Sequence, residues 1–224
     1  RRRLRARAAM NIFRVSADLL HLLSILVLLL KIHATKSCAG ISLKTQDLYL
    51  TVFVTRYLDL FWNFHSLYNS VFKIVYIGSS ALIIWYMRRH RTVKQTYDKD
   101  HDTFRYLFLI VPCFLLALLI NNRFSLFEIL WTFSIYLESV SILPQLVLLQ
   151  RTKNVDNLTG NYVFLLGMYR GFYILNWVYR YMTEPGYSAW IVWLSGLVQT
   201  ALYADFFYYY LQAWKQSKKL QLPA

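Results

Sequence analysis

Residues 14–33 read RVSADLLHLLSILVLLLKIH. From Val15 onward the stretch is apolar apart from two serines, Asp18, His21, Lys31 and the terminal His33. A bilayer core of about 30 Å takes roughly 20 such residues as a helix, so the stretch predicts a membrane span over about 15–33. On that helix Arg14, Asp18 and His21 stand at i, i+4 and i+7 and share one face. Ionisable groups at membrane depth are costly, and they face the interior of a bundle. One stretch therefore predicts both a membrane crossing and a charged interior behind it.

Outward from it, six further stretches qualify by length and apolarity, at about 47–66, 71–87, 104–121, 125–148, 161–182 and 188–211. The third is the shortest. The chain of 224 residues is 57% hydrophobic but only 16% charged, against about 25% charged in a soluble domain, and its mean hydropathy is positive. Gaps between the spans are too short for a separate soluble domain. The expectation is an all-α membrane protein of seven transmembrane helices. Cys38 falls in a loop and Cys113 in the fourth span, so no disulfide framework is indicated. There is no Gly-rich phosphate loop, no Ser-His-Asp logic and no His-rich metal cluster, which argues against an enzyme, a metal or a cofactor. Asp98, His101 and Asp102 read as a solvated loop.

Loop charges orient the bundle, because cytosolic loops collect Lys and Arg. The first, third and fifth connections and the C-terminal tail hold fourteen basic residues, against Lys73 and Arg123 on the other side. The C-terminus is expected to be cytosolic and the N-terminus luminal. The net charge of +14 follows from this topology and from an anionic membrane surface, with no need for nucleic acid. Five arginines within Arg1–Arg7 contradict the count, so residues 1–9 read as an Arg-rich extension before a candidate start at Met10. Residues 10–212 are then the seven-helix domain and 213–224 a cytosolic tail. Asn157-Leu158-Thr159 forms a glycosylation sequon, on the cytosolic side in this topology. Two three-span units flank the fourth span, and each has a polar turn before its middle helix, Gly40-Ile41-Ser42 and Asn157-Leu158-Thr159. That order suggests two parallel three-helix repeats joined by a linking helix, an architecture like that of the sugar-exporter and PQ-loop proteins.

More charges lie within the other spans. Arg56 and Asp59 sit one turn apart on the second, Glu128, Trp131 and Glu138 stripe the fifth, and Arg170, Tyr173, Trp177 and Arg180 stripe the sixth. At 1.5 Å per residue, Glu138 and Arg170 come to similar depth, as do Glu128 and Arg180. Asp18 is a candidate partner for Arg14, and Asp59 for Arg56. The luminal half gathers Arg14, Arg56, Arg180 and Glu128, with Trp131 and Trp177 nearby. Three cations and one carboxylate suit a mostly anionic ligand that carries one cation. Glu138 with Arg170 also reads as a structural buried pair, and His21 as either a core histidine or a pH switch.

The runs KSCAGIS at 36–42, TRYLDLF at 55–61, HDTFR at 101–105, EILWTFSIYLES at 128–139 and LQLPA at 220–224 resemble the KDEL receptor (endoplasmic reticulum lumen protein-retaining receptor) family. The resemblance covers nearly all of 10–224. It implies a receptor that binds C-terminal KDEL or HDEL tetrapeptides of luminal proteins in the Golgi apparatus. The receptor returns them to the endoplasmic reticulum by retrograde transport in COPI coatomer vesicles. It implies a ligand site at Arg14, Arg56, Glu128, Trp131, Tyr169, Asn176, Trp177 and Arg180. It also implies a proton-driven switch with His21 as sensor and Glu138, Tyr169 and Arg170 responding. For sorting it implies Lys218, Lys219 and Asp205. The tail departs from the pattern, with Ala213 and Gln216 where lysines are usual.

Overall fold

In a computed structural model, the structure describes residues 11–61, 67–216 and 219–222. The Arg-rich segment 1–9 and Lys218 lie outside them. The helices are α1 (Ile12–Thr35), α2 (Leu43–Arg56), α3 (Leu67–Arg89), α4 (Arg91–Gln95), α5 (Leu107–Leu119), α6 (Leu126–Val140), α7 (Leu143–Thr152), α8 (Asn157–Thr183) and α9 (Trp190–Lys215). A 3₁₀ turn (Leu58–Phe61) follows α2, and two short strands, β1 (Asn154–Val155) and β2 (Leu220–Gln221), pair antiparallel.

Short polar side chains start these helices. Asn11, Ser42, Ser125 and Asp156 each accept a bond from the backbone N–H three residues on, which satisfies one of the orphan donors of a first turn. Asp156 is the cap, so Asn157-Leu158-Thr159 forms the first turn of α8 and does not precede it. Lys36 at φ 52 ends α1, and Gly40 at φ 75 turns the chain toward α2. The fifth expected span is broken in two. Pro144 has no N–H to give Val140, so α6 stops there and α7 restarts at Leu143. The second expected span ends as an α-helix at Arg56, and α5 is shorter than the fourth.

The apolar pattern is inverted relative to a water-soluble bundle. On α1, Leu19, Leu23, Leu26 and Leu30 are exposed along one stripe, while Ala17, Asp18, His21, Ser24 and Leu28 are buried. On α5, Leu107, Phe108, Val111, Leu115 and Leu119 face outward. Water does not tolerate contiguous apolar surface on this scale, whereas lipid does. α1, α3 and the run α6–α7 are each long and apolar enough to cross a membrane. The long α8 and α9 carry more polar and aromatic side chains. The chain is thus an all-helical membrane protein with its polar groups inside.

α1 packs along α8, α6 lies against α2, α5 and α9, and α3 flanks α2. The far ends of α1 and α2 are knitted by polar side chains. Buried Lys31 donates to Ala39 O at 2.6 Å, to Asp156 Oδ2 at 2.7 Å and to Thr159 Oγ1. Burial alone would raise the Asp156 carboxyl pKa, but bonds from Lys31 and Thr159 outweigh it and hold it below the usual carboxylate range. Gln145 bonds both Gly40 O and Ser42 N. Asp102, expected in a solvated loop, is buried and accepts from Ser42 Oγ, Leu43 N and Tyr97 Oη. The loop closes back on α2, which sequence spacing could not show. Beyond α9 the chain turns back so that Leu220 and Leu222 are buried and Leu222 N donates to Lys153 O. The tail boundary expected at 212/213 therefore falls inside α9, which continues to Lys215.

Candidate functional site

At the opposite end from Lys31, α1, α2, α3, α6 and α8 enclose a cavity of about 330 Å³. α1 presents Arg14, Asp18 and His21 to it, the face expected from their spacing. Arg56 enters from the end of α2, Glu138 from the end of α6, and Tyr169, Arg170, Tyr173 and Trp177 from α8. α3 adds Tyr68, Asn69, Lys73 and Tyr76.

The charges are organised in two layers. In the outer layer Arg14 donates to Asn69 Oδ1 at 3.1 Å and lies 4.0 Å from Asp18, the partner expected for it. Asp18 also accepts from Tyr68 Oη at 2.9 Å and from Tyr173 Oη. In the inner layer Glu138 receives Arg56 Nη1 at 2.6 Å and Arg170 Nη2 at 2.5 Å, and the Tyr169 hydroxyl donates to it at 2.9 Å. One buried carboxylate is thus shared by two guanidiniums, so the layer keeps an excess positive charge. The Glu138–Arg170 pair matches the depth argument. The partner expected for Arg56 does not: Asp59 takes Lys73 at 2.8 Å instead. The 3₁₀ turn carries Asp59 off the helical register on which the expected pairing relied.

His21 is buried between two aromatic rings. Its imidazole lies 4.2 Å from the Tyr169 ring at 6° and 4.6 Å from Tyr76 at 24°. Trp177 forms part of the wall, and it seats against α9 only because position 196 is glycine. A side-chain carbon at Gly196 would lie 2.3 Å from the Trp177 ring.

Of the expected ligand residues, Arg14, Arg56, Tyr169 and Trp177 line this cavity, together with the switch residues His21, Glu138 and Arg170. Glu128, Trp131, Asn176 and Arg180 are not among its lining residues. Glu128 accepts from Asn122 at 3.1 Å, and Trp131 is half-buried on the next turn of α6. Buried Asn176 accepts from Asn11 at 2.7 Å. Arg180 turns both prongs of its fork to Glu184, at 2.9 and 2.8 Å, and stacks over Tyr187. Asp205 and Lys219 are exposed. The sequence reading missed the α3 contribution. It started the third span at 71, which left Tyr68 and Asn69 in a loop and Lys73 as a loop charge. The signal available was Lys73 itself, an ionisable residue inside a helix that runs from Leu67.

The fold and the site define an all-helical membrane protein with a net-positive internal cavity. A sequence model described as ER lumen protein retaining receptor matches residues 37–180. The ER lumen protein-retaining receptor of Petunia hybrida is 68% identical over 215 residues, which covers 96% of this chain and all of that protein. Receptor B of Arabidopsis thaliana is 66% identical and the Drosophila melanogaster receptor 54% identical, each over 96% of this chain and all of that protein. The chain belongs to the ER lumen protein-retaining receptor family. It is a receptor and not an enzyme.

Proposed function

We propose that this receptor binds the C-terminal KDEL- or HDEL-type tails of luminal proteins in its internal cavity and returns them from the Golgi to the endoplasmic reticulum. The names of the relatives speak of retaining proteins of the endoplasmic reticulum lumen, and the chain matches whole relatives at high identity. The observation that carries the reading is the cavity in which Arg14, Arg56 and Arg170 outnumber Asp18 and Glu138, while Lys73 is answered by Asp59. A tail with two acidic side chains and a terminal carboxylate complements that excess. Bidentate arginine–carboxylate bonds give the strongest available recognition. In this reading Trp177, Asn176, Glu128, Trp131 and Arg180 contact the tail as the mouth closes, with Arg180 exchanging Glu184 for a ligand carboxylate.

The bundle spans the membrane seven times, as two parallel three-helix repeats with α5 linking them. The cavity opens to the lumen and the Lys31 network faces the cytosol. Protons act as the allosteric effector through His21. Lys218, Lys219 and Asp205 serve sorting, with COPI coatomer as the cytosolic partner. The test is a titration of the purified receptor with a labelled tetrapeptide as free acid and as C-terminal amide. Tight binding of the acid and strong loss with the amide are expected. Equal affinity for both would remove the carboxylate from the recognition and with it this reading.

A further inference from the structure

Another recess, largely apolar but carrying two cations, lies at the base of α5, away from the cavity. It has a volume of about 450 Å³ and is lined by Lys44, Phe104, Arg105, Tyr106, Leu107 and Phe108. Lys44 is half-buried in the first turn of α2, and Arg105 is exposed just before α5. The basic groups around them are engaged elsewhere: Lys31 with Asp156, Arg88 with Asp47, and Arg151 with the hydroxyl of Thr103. Lys44 and Arg105 have neither an ion pair nor a side-chain hydrogen bond among the described residues. The nearest carboxylates are turned to other donors, Asp47 to Arg88 and Asp102 to Ser42, Leu43 and Tyr97, which leaves the two cations on the recess without a direct partner among the described residues.

The recess also has an apolar lip. Leu107 and Phe108 are 63% and 69% exposed, and they open a helix, Leu107–Leu119, that has no acidic or basic residue along its length. Exposed apolar side chains on such a helix suit a lipid surface better than water. Phe104, Tyr106 and Phe108 sit beside the two cations as aromatic residues do at a membrane–water interface. The ligand that fits both halves has a phosphate at the cations and acyl chains over Leu107 and Phe108. We propose that this recess is a binding site for one anionic glycerophospholipid. Its phosphate bridges Lys44 and Arg105 and so ties the start of α2 to the start of α5. The topology proposed above decides only which leaflet supplies the lipid, here the cytosolic one. Glycosylation of Asn157 in cells would overturn that topology and leave the recess untouched.

The full-length receptor in nanodiscs of phosphatidylcholine with a minor share of phosphatidylserine provides the test, with retained lipid read by native mass spectrometry. Phosphatidylserine is expected to remain bound to the wild type. In Lys44→Ser/Arg105→Ser its affinity should fall by roughly thirtyfold, the effect of about two interfacial charges. Arg91→Ser/Lys94→Ser, which removes two charges from the same loop region, is expected to retain it. Equal loss in both double variants would reduce the effect to bulk surface charge, and equal retention would remove the site. Displacement by inorganic phosphate would mean an anion site with no part for the acyl chains. A photoactivatable phosphatidylserine on the wild-type chain keeps the proposal testable should the variants fail to fold. Label is expected at 44 and 104–108, and label confined to other segments overturns the assignment.

Discussion

The imidazole of His21 lies flat on the phenol ring of Tyr169, 4.2 Å between centres and 6° between planes, and the same phenol donates its hydroxyl to Glu138. Through one intermediary, then, His21 adjoins the carboxylate that Arg56 and Arg170 share. A proton gained on the imidazole would meet two aromatic faces, Tyr169 and Tyr76, which favour a cation. Burial away from water opposes that charge most, and the field of the two guanidiniums opposes it further. A bound anionic tail adds negative charge and tips that balance.

The first prediction follows by linkage. If the tail favours the protonated imidazole, the proton must in turn favour the tail. Affinity is expected to rise on acidification from neutral pH, by up to about tenfold per pH unit for one coupled proton. His21→Phe, which keeps a ring in the stack, should flatten the profile. Peptide titrations across about pH 5 to 8 check it, and parallel curves for the two proteins would leave His21 a packing residue.

The second concerns Arg56. Its Nε and Nη2 bond Ser134 at 3.1 and 3.0 Å while Nη1 holds Glu138. Lysine keeps the charge but has no planar fork to reach both residues. Arg56→Lys is expected to lower tail affinity about tenfold or more, the loss of one or two charge-assisted bonds. The receptor should still assemble in the membrane. Isothermal titration decides it, and unchanged affinity would show that the fork is not needed.

How much of this could be read beforehand depended on whether the spacing stayed helical. Arg14, Asp18 and His21 lie on uninterrupted α1, so counting turns placed them together. Glu138 and Arg170 met because depth along two regular helices is simple arithmetic. Arg56 and Asp59 did not, because the helix gives way to a 3₁₀ turn between them. Lys73 stayed hidden behind a late estimate of where α3 begins. Asp102 was out of reach altogether, since its partners Ser42 and Leu43 come from 60 and 59 residues away.

A third prediction arises from Glu184, which occupies the fork of Arg180. The pair is partly exposed, so breaking it costs little, about 0–1 kcal/mol. If Arg180 receives a ligand carboxylate, Glu184→Gln should raise tail affinity by up to about fivefold. An affinity decrease in a competition assay would show that Glu184 supports the site and does not compete for it.

The fourth concerns pH and the Lys31 network. Asp156 has its carboxyl pKa depressed in the folded state by Lys31 and Thr159, against the effect of burial. Its stabilising contribution is therefore present above the ordinary carboxylate pKa of about 3.9 and lost as pH falls below it. Asp156→Asn is expected to melt below the wild type at neutral pH and to converge with it toward pH 3. Thermal melts across that range in detergent test this. A gap that persists undiminished at the acidic end would mean the charge on Asp156 contributes nothing.

Gly196 gives the receptor a vulnerable position on a helix that contributes no charge to the cavity. Any larger residue there must displace the indole of Trp177, since even one added carbon would come within 2.3 Å of it. A genetic screen for cells that leak resident luminal proteins should therefore recover substitutions at codon 196. They would be indistinguishable by phenotype from lesions in the binding wall itself. A smaller side chain at 177 would restore the room but remove part of the wall, so it is not expected to rescue such alleles.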